Sequence, residues 1–72
     1  MTNEQRTQAL EAAKKAPKVA AAIAINHLRE GIVTPSEYHE IMRACGIDKA
    51  QAARIALTRD PFALLAKVLE NG

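Results

Sequence analysis

The sequence has one cysteine, one tyrosine, one phenylalanine and no tryptophan among its 72 residues. The single Cys45 leaves no intrachain disulfide and no thiolate metal cluster, which fits a reducing compartment and a cytoplasmic address. Only 3% of the residues are aromatic although 49% are apolar, so alanine carries much of the hydrophobicity and large core side chains are scarce. A chain this short folds as one domain, 1–72, with a modest core and no room for a large substrate cleft. Homodimerisation would relieve the thin core. Three glycines give no phosphate-cradling loop. No long hydrophobic run exists either: the longest, Val19 to Ile25, is too short for a bilayer, and "MTNEQRTQAL" lacks the basic start and apolar run of a secretory leader. A soluble chain without membrane contact is expected. Charge of one sign is nearly absent too, because ten Lys and Arg face eight Asp and Glu; the formal +2 is compatible with a polyanionic partner and does not require one.

What the sequence does have is helix punctuation. Thr2 with Gln5, or Asn3 alone, can cap a first helix that runs to about Lys15. Its apolar positions are sparse, Leu10 with alanines, which makes residues 1–16 a peripheral helix prone to fraying. Pro17 at a first helical position restarts the chain, and Val19, Ile23, Ile25 and Leu28 lead to Gly31, a residue suited to a left-handed C-cap. One long helix kinked at Pro17 is the alternative, and a break is preferred. "TPSE" gives Thr34 as cap, Pro35 at the first position and Glu37 placed to bond back. The third helix carries Tyr38, Ile41, Met42 and Cys45 at helical spacing and ends at Gly46. Asp48 then caps a fourth, with Ala52, Ile55 and Ala56 inward, which stops near Thr58. Asp60 and Pro61 open a fifth, whose "FALLAKVL" places Phe62, Leu65, Val68 and Leu69 on one broad apolar face. No segment alternates as a strand would, so the expected fold is all-α, a compact bundle of four to five short helices.

The stretch "YHEIMRACGIDKAQAARIAL", residues 38–57, resembles the helix-turn-helix pattern of DNA-binding proteins. Measured from Gly46, Ile41 stands five before, Cys45 and Ile47 immediately before and after, and Ile55 nine after. Two positions depart: Met42 stands where a small residue is usual, and Ala52 where a branched aliphatic is usual, a bulky and a small residue that could trade volume across the contact. The resemblance implies a recognition helix whose outward Lys49, Gln51 and Arg54 meet the major groove of double-stranded DNA. Asp48 sets a negative charge where a phosphate would approach. Lys14, Lys15 and Lys18 of "KKAPK" form a second candidate phosphate-contacting patch. The same side chains also suit an ordinary solvated surface.

Base stacking is disfavoured, since Tyr38 and Phe62 both sit at apolar-face positions. His27 and His39 lie twelve apart with no third ligand at metal-like spacing, so no metal and no cofactor is expected. Cys45 falls on the packed side of its helix, where an inert thiol is expected, and no nucleophile is set up. The chain therefore reads as a non-enzyme: a small DNA-binding regulator of bacterial, phage or plasmid type, acting as a homodimer. The alternative is a protein-interaction module, an inhibitor or adaptor, using the apolar surplus of its helices. "LREGIVTPSEYHEIM", Leu28 to Met42, similarly resembles the helix-turn-helix of short oligomerisation modules.

Overall fold

Every helix start but one is covered by a side chain that accepts a bond from otherwise orphaned amides. In the computed structural model, which describes residues 2–71, Thr2 opens α1 (Asn3–Lys15) with a reciprocal box: the Gln5 amide donates to Thr2 Oγ1 at 3.1 Å and the Thr2 amide to Gln5 Oε1 at 3.0 Å. Thr34 and Glu37 repeat the box at α3 (Pro35–Ala44), at 3.2 and 2.8 Å. Asp48 Oδ1 accepts from the Gln51 amide at 2.8 Å at the start of α4 (Lys49–Leu57), and Asp60 Oδ1 from the Ala63 amide at 3.2 Å at the start of α5 (Pro61–Asn71). The exception is α2 (Pro17–Arg29), whose cap residue Ala16 offers no side-chain bond. The chain breaks there rather than kinking: Ala16 has φ −142° and ψ 73°, outside the helical region from which a following proline excludes its neighbour.

Two helices stop on the same device. Gly46 has φ +86°, its amide donates to the Arg43 carbonyl at 3.0 Å, and the Ile47 amide donates to the Met42 carbonyl at 3.0 Å. Gly31 has φ +76°, with the equivalent bonds from Gly31 to Leu28 at 3.2 Å and from Ile32 to His27 at 2.8 Å. These paired bonds satisfy the last carbonyls of α3 and α2 and need a left-handed residue between helix and exit. The end of α4 has no glycine; Thr58 leaves in an extended conformation, and the Arg29 guanidinium donates to its carbonyl at 3.1 Å.

The five helices form an all-α bundle in which α1 packs on α2 and α3, α2 also on α3 and α5, and α4 on α3 and α5. Its radius of gyration, 10.9 Å, is close to the roughly 11 Å expected for a compact chain of this length. Ala13, Ala20, Ala21, Ala24 and Ala52 fill much of the interior beside Ile25, Tyr38, Ile41, Met42, Ile47, Ile55 and Leu65. α1 contributes Ala13 to this core, and its Arg6 pairs with Glu40 of α3 through two guanidinium bonds of 2.5 Å. That guanidinium holds the Glu40 carboxyl below the usual carboxylate range.

The apolar face of α5 differs from the expected one, and α2 turns its larger aliphatics outward. On α5, Phe62 is 42% exposed, while Pro61 and Leu65 are buried and Leu64, Val68 and Leu69 half-buried. The inward stripe thus runs i, i+3, i+4, i+7, i+8 from Pro61, and Phe62 stands a hundred-degree step off it. On α2 the inward stripe is Ala20, Ala21, Ala24 and Ile25, so Val19 and Ile23 point outward at 59% and 47% exposure.

Candidate nucleic-acid interface

The Gly46 turn fixes how α4 leaves α3. Ile47 follows the turn with 1% exposure and Met42, whose carbonyl its amide bonds, is fully buried, so both residues of the closing bond are anchored in the core. Ile41, Cys45, Ala52 and Ile55 are buried on the two facing helices. Met42 and Ala52, the positions that depart from the helix-turn-helix pattern, are both without exposed surface. The missing bulk at Ala52 lets an aromatic ring approach: the Tyr38 hydroxyl, buried on α3, donates to the Ala52 carbonyl at 2.7 Å. Burial pushes the Tyr38 hydroxyl up to about 12, and it pushes the Cys45 thiol up as well. The thiol therefore stays protonated at neutral pH and is a poor nucleophile.

The inner side of α4 is used up by Ala52 and Ile55, and its outer side carries Lys49, Ala50, Gln51 and Arg54, all exposed. Among the described residues, none of the Lys49, Gln51 and Arg54 side chains is held in an ion pair or side-chain hydrogen bond. Asp48 is exposed beside them, with one carboxylate oxygen engaged on the Gln51 amide. Arg43 on α3 and Arg59 in the connection after α4 are exposed as well.

No family model matches this chain, and no curated protein or solved structure does.

Lys14, Lys15 and Lys18 are exposed around the Pro17 break, with Lys14 and Lys15 in the last turn of α1, where cations favour the helix dipole. Neither α1 nor α2, the helices that carry these lysines, packs substantially on α4. His27 and His39 are partly buried, and the His39 ring leans on Tyr38 at 5.4 Å between centroids. Among the described residues, no three His, Cys, Asp or Glu side chains gather where a metal could sit. No helix is long and apolar enough to cross a membrane among those residues. With Phe62 exposed, the argument against base stacking applies to Tyr38 alone.

Sequence reasoning missed a second surface feature. Ile23 and Ile32 stand exposed at the edge of a cavity of about 340 Å³ lined mainly by α1 and α2, and Val19 is exposed one turn before Ile23. Both stripes of α2 are apolar, so its sequence does not say which of them faces the core.

Proposed function

We propose that this chain is a small DNA-binding regulator of helix-turn-helix type, of the kind found in bacteria, phages and plasmids, and that it works as a homodimer without cofactor or catalysis. The observation that carries the reading is the outer side of α4, where Lys49, Gln51 and Arg54 stand exposed while the opposite side is locked into the core through Ala52 and Ile55. A short helix held this way can enter a major groove as a rigid rod. Gln51 then pairs with adenine, Arg54 with guanine, and Lys49 with a base edge or phosphate; Ala50 is small enough to rest on a thymine methyl. Asp48 counts against a close phosphate approach, since one carboxylate oxygen accepts from the Gln51 amide but the side chain keeps its charge. Lys14, Lys15 and Lys18 would reach only flanking phosphates, contacts that position without specifying.

Selection from a random duplex pool at low salt, followed by titration at two salt concentrations, tests this reading. Arg54→Ala, at an exposed position, should leave the fold within about 0.5 kcal/mol. It should weaken the selected site by about 1 to 3 kcal/mol and lose discrimination at one base position. A phosphate role would instead weaken all sequences alike and make the salt slope shallower by about one unit. If the wild-type chain selects no sequence, the DNA reading is wrong. The second reading, a protein-interaction module, would replace it; exposed Val19, Ile23, Ile32, Leu57 and Phe62 favour that one.

A further inference from the structure

We propose that α1 is a hinged strap: it swings off the other four helices as one unit about Ala16, and Arg6 with Glu40 is the clasp that holds it shut. Neither the DNA reading nor the homodimer enters into this.

The other four helices close without α1. α2 packs on α3, α3 on α4, α4 on α5 and α5 back on α2, a complete ring, while α1 lies outside it against α2 and α3. Burial agrees. Among the described residues α1 gives the buried core Ala13 alone; Ala9 and Leu10 are half-buried and the rest of the helix is exposed. The fit beneath it is loose, since the cavity of about 340 Å³ separates Gln5, Gln8 and Ala12 of α1 from a floor that includes Val33 and Ile41. A helix that removes little apolar surface from water gains little by staying docked, and such segments open at lower free energy than the core.

The joint is one residue wide. The Ala16 amide donates to the Ala12 carbonyl at 2.7 Å, closing the last turn of α1, and the Ala16 carbonyl accepts from the Ala20 amide at 2.9 Å, opening α2. Its φ and ψ lie between those two bonds, and among the described residues no backbone hydrogen bond crosses it; Pro17 has no amide with which to make one. Rotation at Ala16 therefore swings α1 without breaking either helix. Pro17 also keeps Ala16 out of the helical region, so the joint does not fuse into one continuous helix.

Ala13, one turn from the joint, pins the hinged end. The far end is held by charge: Arg6, about 15 Å from Ala16 along the helix, pairs with Glu40 of α3. Both side chains stand partly in water, at 50% and 37% exposure, so the attraction is modest and salt screens it. Opening bares Val33 and Ile41, each 4% exposed with α1 in place. Once off the body, a helix of 13 residues is marginal in water, so its amides exchange from the open form.

Native-state hydrogen exchange of the full chain, followed by NMR over low urea concentrations, tests the strap. The amides from Thr7 to Lys15 are expected to share one protection factor, at least about tenfold below those of Ile41 in α3 and Leu65 in α5, with a weaker urea dependence. Arg6→Glu should speed exchange by one common factor, about twofold to fivefold, all along α1, and adding Glu40→Arg should restore it. Protection that climbs steadily from Thr7 to Lys15 would mean fraying from the free end and overturns the hinge. Protection in α1 equal to that of α3 and α5 would mean that all five helices open only together and overturns the strap. A shared, lower protection that ignores Arg6→Glu overturns the clasp and leaves the hinge.

Discussion

Tyr38 concentrates at one residue what the rest of the interior spreads over many. Its ring is 1% exposed, and its hydroxyl ties α3 to the Ala52 carbonyl of α4. Tyr38→Phe removes that bond and nothing of the ring, so a loss of about 1 kcal/mol is expected. For a domain of this size that is a fall of about 4 to 8 °C in a thermal melt; an unchanged midpoint would mean that the bond adds nothing. Ionisation gives an independent check. The hydroxyl titrates at 10.0 in an unfolded chain and about 12 in the fold, so its stabilisation is complete below pH 10 and is lost as the pH climbs through about 12. Tyrosinate absorbance and helical dichroism should change together in that window, and because the chain has one tyrosine the signal is unambiguous. The sequence announces that Tyr38 lies on an apolar face. Its partner is fourteen residues away on another helix, and only the packing of α3 on α4 reveals it.

The helices themselves were the most legible part of the chain, because a cap, a proline start or a glycine stop is written within about four residues of where it acts. Thr2 with Gln5, Thr34 with Glu37, Asp48 and Asp60 all cap as their spacing implies. Which side of a helix faces inward is not local information. Where both sides are apolar, as on α2, size points to Val19 and Ile23, yet close approach of neighbouring helices admits the alanines instead. The same limit governs the candidate site: exposure of Lys49, Gln51 and Arg54 could be anticipated from Ala52 and Ile55, but not that the helices carrying Lys14, Lys15 and Lys18 pack away from α4. Gly46 tests the turn as an element. A Cβ there would meet nothing within 4 Å, so substitution costs backbone conformation and not a clash. Gly46→Val should lose at least about 1 to 2 kcal/mol at φ +86°, by denaturant titration, and an asparagine there should lose less. Equal losses for the two would point away from left-handed geometry as the cause.

At the scale of the molecule, α5 holds the two ends together, since it packs on both α2 and α4. Leu65, 2% exposed, is its most deeply buried core leucine. Leu65→Ala should therefore cost about 2 to 5 kcal/mol, a large share of what a domain of this size has. A melt that hardly moves would make α5 an accessory and not the clasp. Beyond this single contact, the interior rich in methyl groups sets how the protein meets temperature. The heat capacity gained on unfolding follows newly wetted apolar area, about 12 to 15 cal/mol/K per residue in ordinary domains. A core filled by Ala13, Ala20, Ala21, Ala24 and Ala52 exposes less such area than one of leucine and phenylalanine, and belongs at the low end. The stability curve is then shallow: a low summit with gentle slopes toward both heat and cold, which keeps a small fold populated over a broad climate without making it strong anywhere.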